Sequence, residues 1–355
     1  MKTIAADCNV FSSNNLTADL NTLLANYDAA QVFLMADEGS AQSCLKILGN
    51  VEKISPDRTI IIKQGDDYKN VDAAVQIWNF LSSHGATRKS ILINVGGGMP
   101  CDLGGFCAST FKRGINFINI PTTILAQVDA SLGGKTGMNL GGLKNEIGVF
   151  AIAKTVLING EFLRSLDKEN LLSGFAEMLK HALIYDASML NELMQVDFDK
   201  PNYDQLQKLI CDSICVKNHF VTEDPKEQGI RKALNFGHTF GHAFETFSMR
   251  HNTHPILHGK AVAFGMVCEL MLSEEKLNLA SNSSMPIIKY INALYGKMPF
   301  TKADYPKLIE LMTHDKKNDA NGINFTLLPK IGEISVNNIG TREEITTVFN
   351  RYLSL

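Results

Sequence analysis

Ser90-Ile-Leu-Ile-Asn-Val95 runs directly into Gly96-Gly97-Gly98 and then into Met99-Pro100-Cys101-Asp102-Leu103-Gly104-Gly105. A short run this rich in Ile, Leu and Val reads as a buried strand. The glycines allow the chain leaving it to approach a ligand closely, ahead of a helix whose free N–H groups favour negative charge. That arrangement suits a pyrophosphate. The spacing is not G-x-G-x-x-G, so three glycines alone fit a tight strand-to-helix turn without ligand as well.

Outward from this turn the same texture repeats. Gln31 to Met35, Thr59 to Lys63, Asn116 to Ile120 and Thr155 to Ile158 are further short apolar runs, and Leu16 to Tyr27 and Val71 to His84 carry apolar residues at helical spacing. This β-α-β rhythm predicts a parallel, doubly wound sheet, hence an α/β Rossmann-like nucleotide-binding domain. After about Asp167 long amphipathic stretches take over: Leu171 to Leu183, Tyr203 to Thr222, Lys232 to Phe247, Lys260 to Leu277 and Ile287 to Tyr295, with Asn324 to Leu328 as one late strand. The expected organisation is an α/β domain over 1–167, then a mostly α-helical metal- and substrate-binding domain over 168–355. A chain of 355 residues suits two domains, at roughly 150 residues each.

Composition narrows the function. Lys and Arg number 34 against 37 Asp and Glu, a formal charge of −3. No basic block is present to neutralise a run of phosphates, which argues against a nucleic-acid partner. The N-terminus MKTIAADCNVFSSNN lacks a secretory h-region, and no apolar run reaches membrane-spanning length, so no membrane partner and a cytoplasmic location are expected. Cys8, Cys44, Cys101, Cys107, Cys211, Cys215 and Cys268 are scattered and free of C-x-x-C pairs, and read as reduced core thiols. Cys211 and Cys215 lie one helical turn apart, but the neighbouring Leu209, Ile210 and Ile214 favour apolar packing over a shared metal.

A second small-residue loop follows the next strand: Pro121-Thr122-Thr123, then Asp129-Ala-Ser131-Leu-Gly133-Gly134-Lys135-Thr136. In an open α/β sheet ligands bind at the carboxyl ends of strands, where both loops fall. Gly133-Gly134-Lys135-Thr136 is not a P-loop, because the upstream glycine of G-x-x-x-x-G-K-[ST] would fall at Asp129. In the second half, six of the nine histidines lie between His219 and His258. His238 and His242 share one helix face by their four-residue spacing, and His258 precedes another helix. Three imidazoles near one point suggest a metal. Thr239 stands where the metalloprotease motif H-E-x-x-H needs glutamate, so a carboxylate must come from elsewhere. Glu177, a charge inside the apolar stretch Phe175-Ala176-Glu177-Met178-Leu179, is the natural candidate. His84, His181, His219, His251, His254 and His314 read as structural. Two histidines plus a carboxylate leave a position open for water or substrate, as catalytic zinc sites do.

Together these segments resemble the 3-dehydroquinate synthase family of sugar-phosphate cyclases. The similarity is carried by Gly96-Gly-Gly98, Gly104-Gly105-Phe106, Arg113-Gly114, Pro121-Thr-Thr123, Gln127-Val-Asp129, Gly133-Gly-Lys135-Thr136, Lys144-Asn145, Ala176-Glu177, Lys180, Asn235-Phe-Gly-His-Thr-Phe-Gly-His242 and Leu257-His258-Gly259. The resemblance implies an NAD-dependent, metal-dependent lyase, usually a homodimer. Its substrate would be a small sugar-acid phosphate, 3-deoxy-D-arabino-heptulosonate 7-phosphate, converted to 3-dehydroquinate and phosphate on the shikimate route. By position it implies metal ligands Glu177, His238 and His258, with zinc the favoured ion and cobalt an alternative, and moves His242 to the substrate side. It implies NAD contacts from Asp37, Asp66, Lys69, Gly97, Gly98, Asp102, Thr122, Thr123 and Lys144. Asp129, Lys135, Lys180, Asn235 and His242 resemble catalytic positions; Asn145, Lys217, Arg231, Lys316 and Lys317 resemble substrate contacts, and Arg113 a residue reaching a neighbouring subunit's site. Two positions depart from the family's usual glutamate, Asp66 and Lys260. The rival readings are another sugar-phosphate cyclase, a metal-dependent alcohol dehydrogenase of related fold, and a non-catalytic NAD-binding or metal-sensing protein.

Overall fold

The computed structural model describes residues 1–141, 143–313 and 322–355. Its strands in chain order are β1 (Lys2–Ala5), β2 (Val10–Ser12), β3 (Val32–Asp37), β4 (Thr59–Ile62), β5 (Ile91–Gly96), β6 (Asn116–Pro121), β7 (Lys135–Leu140), β8 (Leu143–Phe150), β9 (Thr155–Ile158), β10 (Ile323–Lys330) and β11 (Glu333–Gly340). The helices are α1 (Leu16–Leu24), α2 (Glu38–Ser43), α3 (Val71–Ser83), α4 (Gly98–Thr110), α5 (Lys168–Tyr185), α6 (Ala187–Leu193), α7 (Tyr203–Glu223), α8 (His238–His251), α9 (His258–Leu277), α10 (Ser281–Tyr295), α11 (Tyr305–Thr313) and α12 (Arg342–Ser354).

Residues 1–167 with 201–218 form one compact unit, and 168–200 with 219–355 form a second. In the first, a seven-stranded sheet runs in the order β1-β2-β9-β6-β5-β3-β4. All its pairings are parallel except that of β1 with β2. Every residue of β3 and β5 is buried, as expected for central parallel strands covered on both faces. The chain passes from β3 outward to β4 and then returns to place β5 on the other side of β3. That reversal is the switch point beside which open α/β sheets bind ligands. Leu20, Leu24, Leu34, Ile93, Ile118 and Phe162 lie in the apolar cluster on one sheet face.

The second unit is mainly helical, with α5, α6, α8, α9, α10, α11 and α12 and the antiparallel hairpin β10–β11. The expected α/β fold followed by a helical part is the architecture observed. Several details differ from the sequence reading. The stretch 201–218 counts with the first unit, not with the residues after 167, because α7 makes its contacts there. Gln207 packs on Gly160, and the Cys215 thiol donates to the carbonyl of Ile4 at 3.8 Å. The stretch Lys232 to Phe247 is not one helix: a 3-10 turn, Ile230–Asn235, is separated from α8 by Gly237 at φ +81°. The segment after Gly134 folds into the β7–β8 hairpin, whose mixed polarity and mostly exposed second strand conceal the strand period. Cys215 is exposed and Cys211 half-buried, so these two are not core thiols; the other five are buried.

Candidate active site

In the first unit, the register pairs Ala36 with Val95 and Gly96 with Pro121. The ends of β3, β5 and β6 are therefore level, and Asp37, Gly97, Gly98, Thr122 and Thr123 emerge along one edge. Gly96 has φ +154°, and a Cβ there would sit 2.6 Å from Pro100 Cγ and 2.9 Å from Ser40 Oγ. A side chain is excluded by both backbone and packing. Gly97 begins α4 without any side-chain cap, which leaves the helix's first N–H groups available to an anion. Asp37 caps α2 by accepting from the Ser40 N–H at 2.7 Å. Thr123 accepts from the Ala126 N–H at 3.1 Å, and the Thr122 N–H donates to the Gly96 carbonyl at 2.9 Å.

A polar cluster extends this edge. Lys69, almost fully buried, donates to Asp102 and, at 2.6 Å, to Asn145 Oδ1. Burial raises the Asp102 pKa above its ordinary value, and the Lys69 ammonium pulls it part of the way back. Asn139 ties the hairpin to the turn at Asp66: its side-chain amide donates to the Asp66 carbonyl at 3.0 Å and its N–H to the Lys69 carbonyl at 2.7 Å. Lys144 lies 3.3 Å from the Asp66 carboxylate. Asp129 sits in a π-helical turn, Ala126–Ala130, a local geometry frequent at functional sites. The Lys217 ammonium donates to both its carbonyl and its carboxylate at 2.5 Å. Lys135 is exposed at the start of β7. Arg113 is also exposed, with φ +69°, beyond the C-terminal end of α4. A thirteen-residue helix separates it from the glycine turn by about 20 Å, so within one chain it is remote from that edge.

In the second unit, α5, α8 and α9 bring Glu177, His238 and His258 together, with one ligand atom from each within 4.8 Å of the others. Glu177 Oε1 lies 3.6 Å from His238 Nε2 and 3.7 Å from His258 Nε2. It is fully buried and has no hydrogen-bond partner among the described residues, whereas Oε2 accepts from the Lys180 ammonium. Such an orphaned carboxylate oxygen is costly unless something cationic meets it. Both imidazoles are held from behind: His238 Nδ1 is 3.1 Å from the Phe236 carbonyl and His258 Nδ1 is 3.1 Å from Glu245 Oε2. Their Nε2 atoms are left to face the cluster, the tautomer a metal needs. The donor set fits a divalent ion of the zinc type.

The helices approach closely because glycines line their contacts. A Cβ at Gly265 would lie 1.9 Å from the Gly237 carbonyl oxygen, and one at Gly259 1.7 Å from that of Ser173. The turn before His238 is pinned by buried Glu269, which accepts from the Gly237 N–H at 2.6 Å and the Thr239 N–H at 3.1 Å. His242 stands beside the ligands, its ring centroid 5.3 Å from that of His238 and 5.9 Å from that of His258. It is not a member of the three-residue set, so the four-residue spacing alone was misleading. Arg231 is buried and donates to the Pro225 carbonyl at 2.7 Å, and Asn235 donates to Glu227 at 3.0 Å. Lys316 and Lys317 lie outside the described residues. Glu245 and Glu269 escaped the sequence reading, although each is a charge inside an apolar helical stretch, the signal that singled out Glu177.

Residues 59–173 match the family profile described as 3-dehydroquinate synthase N-terminal, and residues 174–318 match its C-terminal counterpart. The chain belongs to the 3-dehydroquinate synthase family. A family member from Parabacteroides distasonis, named 3-dehydroquinate synthase, is 45% identical over 95% of this chain and 96% of its own length. Among solved structures, 2-deoxy-scyllo-inosose synthase complexed with carbaglucose-6-phosphate, NAD+ and Co2+ superposes with a TM-score of 0.83 at 21% identity, covering 97% of this chain and 96% of that one. A 2-epi-5-epi-valiolone synthase from Streptomyces hygroscopicus with NAD+ and Zn2+ bound gives 0.82 at 21% identity, with the same coverage. At that identity the likeness speaks for the fold.

Proposed function

We propose that this protein converts 3-deoxy-D-arabino-heptulosonate 7-phosphate to 3-dehydroquinate and phosphate. The observation that carries the reading is the intact set Glu177, His238 and His258, its orphaned oxygen and both imidazoles oriented, in a chain of this family. On this reading these three residues hold one divalent metal, and Asp37, Asp66, Lys69, Gly97, Gly98, Asp102, Thr122, Thr123 and Lys144 hold NAD. When bound, NAD supplies a transient hydride acceptor that leaves the net reaction redox-neutral, and the metal supplies Lewis acidity toward vicinal hydroxyls.

The chain's own side chains account for the rest. Lys180 occupies one oxygen of Glu177 and so leaves the other for the metal. A substrate with a carboxylate and a phosphate needs fixed cations, and Lys180, Lys217 and Arg231 are buried and held in place by Glu177, Asp129 and the Pro225 carbonyl. Lys135, Lys316, Lys317, Asn145 and Asn235 complete the polar binding set. Asp129, held by Lys217 at both its carboxylate and its carbonyl, and His242, beside the two ligand imidazoles, are groups for positioning and proton transfer. The reading also carries a homodimer, with Arg113 reaching the partner's site, two domains divided near Asp167, and a cytoplasmic location.

Purified protein supplied with the heptulosonate phosphate, NAD and Zn2+ is expected to release phosphate and form 3-dehydroquinate without net NADH. Turnover of sedoheptulose 7-phosphate in its place would transfer the reading to another cyclase. Steady NADH build-up would make it a dehydrogenase. Glu177→Ala should abolish phosphate release while NAD binding persists, and full activity in that variant would sink the metal assignment.

A further inference from the structure

We infer that Glu245 is a positioning residue for the metal, acting through His258, an inference that rests on the metal-site reading above. Glu245 lies on α8 seven residues after His238 and three after His242, so all three project from one helix face. Its carboxylate is buried, with a side-chain exposure of 7%, and it faces the first residue of the next helix. Oε2 stands 3.1 Å from His258 Nδ1.

Three consequences follow from that contact. The Nδ1–H donates to the carboxylate, which fixes the tautomer and leaves the Nε2 lone pair for the ion. The imidazole, with a side-chain exposure of 30%, is the most exposed of the three ligands, so it has the most rotational freedom for a hydrogen bond to remove. The anionic partner also makes the imidazole a better donor to a cation. This matters because the Lys180 ammonium already offsets the charge of Glu177. The group facing His238 Nδ1 is the neutral carbonyl of Phe236. Through His258, Glu245 brings a negative charge to the ligand set.

The test is made on the full chain with Zn2+ and Co2+. Chelator competition should give Glu245→Ala a Zn2+ affinity weakened about 10–100-fold. Glu245→Gln, whose amide oxygen still accepts from Nδ1–H, should fall between Glu245→Ala and the parent. The Co2+ absorption bands should shift in both variants. A merely structural residue would lower the metal-free melting temperature and leave affinity and bands untouched. Should Glu245→Ala fail to fold, Glu245→Gln alone decides, with weakened affinity and shifted bands supporting the inference. Parent-like affinity and bands in the folded variants overturn it. If the parent itself takes up no metal, the metal-site reading fails instead.

Discussion

Gly237→Ala probes how the second unit aims a ligand. Gly237 has φ +81° and immediately precedes His238, the first residue of α8. A Cβ there would lie 2.5 Å from Met266 Cγ, 3.0 Å from the Val262 carbonyl oxygen and 3.2 Å from the Met266 nitrogen, all on α9. Holding alanine in the left-handed region costs about 1–2 kcal/mol, and overfilling a packed contact about 1–3 kcal/mol more. The sum is about 2–5 kcal/mol, against a total stability of about 5–15 kcal/mol. At about 2–4 °C per kcal/mol for a domain of this size, Tm should fall by about 4–20 °C. Gly296 is a control without the collision: nothing lies within 4 Å of its Cβ position, and its backbone, at φ +76° and ψ −152°, lies in a different glycine region. Gly296→Ala should carry a backbone penalty alone, about 1–3 kcal/mol. Urea unfolding of the metal-free parent and both variants compares midpoints at constant slope. Relief of the collision must shift the turn that carries His238, so Zn2+ affinity should fall in Gly237→Ala and hold in Gly296→Ala. Undiminished metal affinity in a folded Gly237→Ala would refute the claim that the close α8–α9 contact sets the ligand.

Two further outcomes are expected. Because burial raises the Asp102 pKa, the folded chain keeps a proton that the unfolded chain has lost between the ordinary carboxylate value and the raised one. Stability from this group therefore declines as pH climbs through that window and is level above it. Urea midpoints between about pH 4 and 7 should show a smaller decline in Asp102→Asn than in the parent, and identical slopes would contradict the assignment. Burial also raises the thiol pKa of Cys101, Cys107 and Cys268, and to some extent that of Cys215 too, but Cys215 is the exposed one and so the accessible one. Native protein treated with iodoacetamide should be modified first at Cys215, with all seven cysteines reacting only after unfolding; early labelling of Cys268 would count against the packing described.

The sequence-based strands at Thr59 to Lys63, Ser90 to Val95, Asn116 to Ile120 and Thr155 to Ile158 lie within a residue or so of the observed limits. Their signal is local: a run of β-branched and leucine side chains closed by glycine, proline or a polar residue carries the period on its own. The short β1 and β2, and the mixed-polarity β7, β8 and β11, carry no such run, since their strand character comes from partners elsewhere in the chain. Residue type likewise singled out Glu177, as a charge in an apolar stretch, and the histidines, as a cluster.

Which histidines converge is another matter. Spacing by itself favours His238 with His242, because helix periodicity is blind to any other helix. Tertiary structure selects Glu177, His238 and His258, for their three atoms meet only when α5, α8 and α9 come close enough at Gly237, Gly259 and Gly265. The same holds for Lys217 on Asp129 and for Glu245 behind His258, pairs 88 and 13 residues apart. Local chemistry along the chain determined that a glycine-turned sheet and a set of metal-ligating side chains would exist. The packing of helices on one another decided which oxygen and nitrogens would face a common point, because a contact between distant residues has no period for the sequence to display.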